Sequence, residues 1–503
     1  MPNVLVRRLF AKTSIDAMRE ERNKPGKLRR ALRARDLVAV GLGTMIGGGI
    51  FTTIGPGVKL AGPAIVIAFL LAGSASFFAA LCYAELGAMV PIAGSAYTYA
   101  YATLGQIVAW IIGFALLFEY GISAAPVAQQ FSAALQGALR AFGLTLPWWA
   151  QTSNFVLRGP WWAFWNWDLL HSQYDVTGAL FVLLLSVLLT LGIRETASAN
   201  NVFVVLKIAA LFVFVIFGAS LFHASNLVPF APLGWGSLQP FSGGGGQGIV
   251  PAAALVFFSY IGFDTATTTA EECRNPQRDV PLGVMGALGI GTVIYCVVAV
   301  MLVGIVPWQK VDESAALASA VAPLHNPFVN WTITMGVIAG TTSVALSSLL
   351  GQTRIFYVMS RDRMLPPFVS RIHPRFKTPA LMTMITGAGV ALLTLIVPLN
   401  NLLNLVNIGT LAAFIVVCTG VIWLRYKRPD LPRPFRSPFV PVFPAIGIIL
   451  SLILVVFGLS RDTLVWFLGS LTVGLCIYFA YGFRKSRPDR SVLGGFSDDY
   501  QDS

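Results

Sequence analysis

The sequence predicts an all-α polytopic membrane protein, and three observations carry that expectation. Hydrophobic residues make up 56% of the 503, with a mean hydropathy of +0.72. Charged residues make up only 11%, under half of the roughly 25% usual in soluble domains. The apolar residues also gather into twelve windows of spanning length, where a spanning helix needs about 20. A soluble enzyme, a disulfide scaffold, a disordered chain and a coiled coil are excluded on the same grounds. A β-barrel would show shorter alternating segments instead.

The windows are residues 37–60, 64–89, 105–135, 176–191, 202–222, 248–269, 283–306, 328–359, 380–397, 402–424, 440–459 and 464–483, here called spans 1 to 12. The 48 Gly and 29 Pro are tolerable in such helices, because neighbouring helices can satisfy the freed backbone. Cys82, Cys296, Cys418 and Cys476 sit in apolar runs and Cys273 in a short polar loop; they read as small apolar fillers. The basic first 35 residues lack the layout of a cleavable signal, so span 1 is expected to be retained.

Twelve crossings place both termini on one side, and Lys/Arg bias chooses which. Eleven Lys and Arg precede Asp36, and further clusters follow span 8 (Arg361, Arg363, Arg371, Arg375, Lys377), span 10 (Arg425, Lys427, Arg428, Arg433, Arg436) and span 12 (Arg484, Lys485, Arg487, Arg490). With Arg194, Arg274, Arg278 and Arg354, 29 of the 35 basic residues fall on the side of the termini. The opposite side keeps Lys59, Arg140, Arg158, Lys310 and Arg461, and Lys207 lies inside span 5. Both termini are therefore expected in the cytoplasm, with the protein in the cytoplasmic (inner) membrane. The net charge of +13 reads as topology plus lipid-headgroup contact, not as a nucleic-acid surface. Trp148, Trp149, Trp161, Trp162, Trp165 and Trp167, in the long connection from Leu144 to Tyr174, read as an interfacial segment. A sugar-binding platform is the alternative.

Span 1 contains GLGTMIGGGIF, residues 41–51, with five glycines in nine positions. Each costs about 1 kcal/mol against Ala in a helix interior, so continuous helix is least stable here. Span 6 carries FFSYIGFDTA, residues 257–266, with Gly262 and the ionisable Asp264 near its middle. Unpaired backbone at that depth survives only where it lines a cavity. Matched interruptions five spans apart are the pattern of a five-plus-five inverted repeat, whose half-helix ends hold a substrate. Close helix packing through small residues is the competing reading of the glycines.

These residues resemble the amino acid–polyamine–organocation transporter superfamily, in the bacterial part of its cationic amino acid transporter branch. The marks are IGGGIF (46–51), PIAGSAYTYAY (91–101), LFEYG (117–121), FFSYIGFDTATTTAEECRNPQRDVPLG (257–283), GQTRIFYVMSRDRMLP (351–366), LVNIGTLAAF (405–414) and RPFRSPFVPVFP (433–444). The resemblance implies a LeuT-type fold: spans 1–5 and 6–10 as inverted repeats over residues 36–424, then a basic loop 425–439, accessory spans over 440–483 and a tail 484–503, behind the basic segment 1–35. It implies a secondary carrier that moves an α-amino acid without ATP or any cofactor. In such a carrier a four-helix bundle (spans 1, 2, 6 and 7) rocks against a scaffold (spans 3, 4, 8 and 9). Proton-coupled uptake is the first expectation, exchange through the same site the second and sodium symport the third; a non-transporting sensor or scaffold is the rival from another class. The expected partners are the amino acid, a proton and the bilayer, with a monomeric carrier and room for a small single-span accessory subunit.

Carried over by the resemblance, the substrate carboxylate would meet backbone N–H groups of Gly48 and Gly49, in the triplet Gly47–Gly49 after Ile46. Its ammonium would meet carbonyls of Met45, Phe258 and Ile261, beside Ser259, and Phe258 would close over it as a gate. The middle glycine of the triplet stands where relatives often carry Ser or Thr. Ser343 and Ser347 on span 8 are candidates for reading the substrate side chain. Lys207 would stand where sodium-coupled relatives hold their ion, against carbonyls near Gly43, as the proton-coupling residue; a lysine snorkelling to the interface is the alternative. Glu119 would partner Lys207 or take the proton itself. Asp264 would cap the inner half of span 6 or join a gate. Glu85 reads as an interfacial charge, the group Glu271, Glu272, Arg274, Arg278 and Asp279 as a solvated elbow, and Pro281 as the first turn of span 7. A nucleotide loop, CxxC and metal-ligand His spacing are lacking, so no enzymatic or ATP-driven activity is expected.

Overall fold

The computed structural model describes residues 33–89, 95–153, 172–191, 196–237, 239–241, 246–264, 267, 273–374, 376 and 378–485. The basic segment 1–32, Trp161, Trp162, Trp165, Trp167, Arg158, Arg194, Glu271, Glu272, Arg375, Lys377 and the tail beyond Lys485 lie outside the described residues.

The described residues are helical in every window. In chain order they form α1 (Ala34–Ala61), α2 (Ile65–Met89), α3 (Ser95–Thr103), α4 (Gln106–Ala141), α5 (Val176–Leu191), α6 (Thr196–Gly218) and α7 (Ile249–Val256). There follow α8 (Pro276–Ile305), α9 (Ala316–Val321), α10 (Pro327–Arg361), α11 (Ala380–Ile396), α12 (Leu399–Lys427), α13 (Val442–Ile453) and α14 (Arg461–Ile477). Seven stretches are long and apolar enough to cross a membrane, and four shorter apolar helices accompany them. Large apolar side chains such as Leu180, Leu184, Phe212, Ile216, Val293 and Val473 are exposed. In water such a surface would be an aggregation site; against lipid it is the expected exterior.

The interior is packed through small residues. Gly41 meets Ala287, Gly283 meets Leu37, and Gly336 meets Ala210, each so closely that an added methyl would overlap its neighbour. The first two join α1 to α8 and the third joins α6 to α10, so α1 lies deep in the protein.

Two features differ from the sequence expectation. The helix of span 7 begins at Pro276, not near Pro281. Pro276 takes the first helical position, where a missing N–H costs nothing, and the Asp279 carboxylate accepts from the Asn275 N–H at 3.2 Å. Pro281 is thereby left inside the helix. Glu85 is not an interfacial charge: it is 1% exposed and paired with arginines.

Candidate functional site

Span 1 is broken as the glycines predict. Ile46 has ψ 123° and Gly47 has φ 126°, so α1 is two helices meeting at Ile46–Gly47. Only glycine adopts that φ without strain. A Cβ on Gly47 would also sit 2.6 Å from the Gly340 carbonyl oxygen of α10. The half-helix after the break starts at Gly48, and the first N–H groups of a helix have no intrahelical acceptors.

Span 6 breaks too. α7 tightens into a 3-10 turn over Phe257–Tyr260 and stops at Ile261, which is extended, followed by Gly262 with φ 110°. The two breaks touch. A Cβ on Gly49 would be 2.3 Å from Ser259 Cα. Thr53 Oγ1 and Ser259 Oγ are 2.7 Å apart, and Thr44 Oγ1 donates to the Gly262 carbonyl at 2.8 Å. The hydroxyl of Thr44 thus takes up one carbonyl that the break of span 6 leaves without a helical donor.

A cavity of about 30 Å³ lies at this junction, lined by Thr44, Gly48, Gly49, Tyr120, Ser123, Phe258, Ile261, Gly262, Val344, Ser347 and Ser348. It has room for a water or two, so any larger guest requires the wall to move. Of the residues singled out from sequence, Gly48, Gly49, Phe258, Ile261 and Ser347 line it. Met45, Ile46, Gly47 and Ser259 lie behind its wall: the Met45 methyl packs toward Gly291, and the Ser259 carbonyl accepts from Tyr295 Oη at 2.9 Å. The Phe258 carbonyl is not free of protein donors, since it accepts from the Ile261 N–H at 3.2 Å. A carbonyl has two lone pairs, so one remains.

Tyr120, Ser123, Val344 and Ser348 were not singled out. Tyr120 falls in the LFEYG motif, and Ser348 directly follows Ser347. Val344 gave no signal: one apolar residue in an apolar helix shows its position only when the helices are docked.

Lys207 is fully buried. Its ammonium donates to the Gly43 carbonyl and, at 3.0 Å, to Ser343 Oγ. Ser343 therefore faces Lys207 rather than the cavity. Glu119 does not partner Lys207; its acidic neighbour is Asp264 and its hydroxyl neighbour Thr410, and its Oε2 has no hydrogen-bond partner among the described residues. Asp264 accepts from Tyr120 Oη at 3.0 Å, and its backbone carbonyl takes both the N–H and the hydroxyl of Thr267. The half of span 6 that Asp264 was expected to cap lies mostly outside the described residues.

A buried polar junction of two broken helices, within a bundle of apolar helices of spanning length, is the architecture of a multi-pass membrane protein. The comparisons give the family. The amino acid permease model matches residues 32–481, and the chain belongs to that family, within the amino acid–polyamine–organocation superfamily. It is 38% identical over 485 residues to the branched-chain amino acid permease BcaP of Bacillus subtilis, covering 95% of this chain and 98% of that one. It is 36% identical over 479 residues to the methylthioribose transporter of the same organism, at 95% and 98% coverage. It is 35% identical over 434 residues to the vacuolar cationic amino acid transporter 4 of Arabidopsis thaliana, covering 85% and 68%.

Proposed function

We propose that this permease is a proton-coupled secondary carrier that takes up neutral, aliphatic α-amino acids by alternating access. The observation that carries this is the cavity at the two helix breaks. On one side it offers backbone N–H groups at the start of a half-helix, which favour an anion such as the substrate carboxylate. On the other, the carbonyls of the lining residues Phe258 and Ile261 suit an ammonium. Beyond them the wall is Val344, Ile261 and the Phe258 ring, and no ionised side chain is among its described lining residues. A cationic side chain would lie there without a counter-charge, which is costly in a dry site. The name of the BcaP relative agrees with an aliphatic substrate.

In this reading Phe258 closes over the substrate and Lys207 couples the proton. The lysine is held by a carbonyl just before the break, so its charge state bears on the half-helix arrangement that binds substrate. Glu119 and Asp264 form a second acidic station beside the break of span 6. The inverted-repeat architecture, twelve crossings and cytoplasmic termini belong to the same reading, supported by the paired breaks and the Lys/Arg bias. The experiment is uptake into proteoliposomes under an imposed pH gradient, with leucine, alanine and arginine as substrates and sodium absent. Accumulation of the neutral amino acids, driven by a more acidic outside, is expected. Uptake that ignores the gradient, or that favours arginine, would overturn the reading.

A further inference from the structure

Asn407 of α12 is fully buried, and nothing in the carrier account above uses it. Its amide nitrogen donates to the carbonyls of Ala254 at 2.7 Å and Leu255 at 3.2 Å, on the last turn of α7. Both partners are acceptors, so the amide must present its nitrogen to them, and its two hydrogens serve one carbonyl each. Oδ1, on the other arm of the amide, has no hydrogen-bond partner among the described residues. An orphaned buried oxygen is costly, and a leucine of similar size would avoid it. Packing alone therefore does not account for an asparagine here; the two donors do.

The two carbonyls stand where span 6 changes pitch. In a continuing α-helix they would accept from the N–H groups of Phe258 and Ser259, four positions on. From Phe257 to Tyr260 the chain is instead a 3-10 turn, which pairs each N–H with the third carbonyl back. The change of pitch passes over a carbonyl in the last α turn, and in a membrane interior that group needs a donor from elsewhere. Asn407 supplies it. Over four residues the two pitches differ by about 80° of rotation and about 2 Å of length, so the choice between them decides where Phe258 and Ile261 face. A second contact from the same helix reaches past the break. Seven residues beyond Asn407, Phe414 meets Phe257 edge-on with centroids 5.4 Å apart and Phe263 at 5.5 Å. These rings lie on either side of Gly262, so α12, a single helix of 29 residues, runs along span 6 as a splint.

We propose that Asn407 is a positioning residue: its amide fixes span 6 in the 3-10 pitch ahead of the break and so holds the Phe258 and Ile261 carbonyls where the substrate's α-ammonium is received. The inference rests on the carrier reading above. It concerns the α-ammonium, so it holds for any α-amino acid substrate.

Isothermal titration calorimetry on the full-length chain in detergent tests it, because partial unfolding lowers the number of sites and leaves the dissociation constant of the folded molecules unmoved. The probe is whichever of leucine, alanine and arginine the unaltered chain binds most tightly. Asn407→Leu keeps the volume and removes both donors, so the two carbonyls reclaim the N–H groups of Phe258 and Ser259. Affinity is expected to fall by about 10-fold or more; Asn407→Ala serves in the same way where the leucine variant does not fold. Asn407→Asp, measured at pH 5, offers one O–H donor when its carboxyl is protonated, and is expected to bind several-fold more tightly than Asn407→Leu at the same pH. A merely structural role would give fewer sites and a lower melting temperature at an unchanged dissociation constant. That result, or an Asn407→Asp no better than Asn407→Leu, overturns the proposal. If the unaltered chain binds none of the three amino acids, the carrier reading fails and takes this inference with it. If it binds one of them and Asn407→Leu binds it equally well, this inference fails alone.

Discussion

Lys207 and Gly43 are joined where a membrane helix gives up its own bonding. The ψ of 123° at Ile46 turns the next N–H off the helix axis, and the Gly43 carbonyl one turn earlier accepts from the Lys207 ammonium. Ser343 Oγ completes the cradle at 3.0 Å while donating to the Gly340 carbonyl at 3.1 Å. Lysine and break are thus one device, since the carbonyl is available because the helix is interrupted.

Replacing Lys207 by Ala removes the donor and leaves the buried Gly43 carbonyl and Ser343 hydroxyl short of a partner, at about 1–3 kcal/mol for an orphaned group. Accumulation of leucine driven by a pH gradient in liposomes is expected to disappear. Exchange of leucine across the same membrane, which needs no net proton movement, is expected to persist at reduced rate. Full accumulation by this variant would remove Lys207 from the coupling step.

The contact between the breaks predicts a sharp response to one methyl group. In Gly49→Ala the new Cβ would sit 2.3 Å from Ser259 Cα, a backbone atom that cannot swing aside. Overpacking of this kind costs about 1–3 kcal/mol, and the helix ends must also separate. The variant is expected to melt at lower temperature and to lack the thermal shift expected from leucine with the unaltered protein. Gly137→Ala, in α4 with nothing within 4 Å of the added methyl, is the control. It is expected to be neutral or to stabilise by up to about 1 kcal/mol through helix propensity.

Substrate size should be read by Val344. Its Cγ1 would lie 2.6 Å from a Cβ on Gly48, so this side chain occupies the space a Ser or Thr would need there. Val344→Ala enlarges the cavity by two methyl groups' worth of volume. Competition assays are expected to show larger side chains such as phenylalanine gaining on alanine by about 10-fold or more, since a methylene in an apolar pocket is worth about 1–3 kcal/mol. Unchanged ranking would place the side-chain pocket elsewhere.

How much of this was legible beforehand depended on whether the signal was local. The twelve windows and the break at Ile46–Gly47 are local: runs of apolar residues in one case, glycines that cannot sustain helix in the other. Lys207 stood out because a lone charge in an apolar run has few readings. Glu85 departs from expectation because Arg425 lies 340 residues away in sequence, and chain position alone suggests an interface. Ser343 and Ser347, four residues apart on α10, are equivalent in sequence, yet one meets Lys207 and the other the cavity; only the docking of α6 against α10 separates them. Tyr120 and Val344 were invisible for the same reason, as wall residues supplied by helices that meet only in the fold.

A buried carboxyl just ahead of α5 makes stability depend on pH. Asp175 is 2% exposed, and its Oδ1 accepts from the Gly178 N–H at 2.8 Å as the cap of α5. Burial pushes its pKa up to about 7, against the opposing pull of Ser132 and the Gly178 N–H. The sign follows from linkage. A carboxyl whose folded pKa lies above its unfolded value binds its proton more tightly when folded, so stability is greatest below about pH 4 for this group. That contribution is lost as pH rises toward 7 and is constant above it. The rise from an ordinary carboxylate value to about 7 corresponds to at most about 4 kcal/mol. Asp175→Asn keeps an oxygen for the Gly178 N–H and removes the charge. Its melting temperature in detergent is expected to exceed that of the unaltered protein at pH 8, with the difference shrinking steadily toward pH 5. A difference that is independent of pH would mean that Asp175 acts only as a cap.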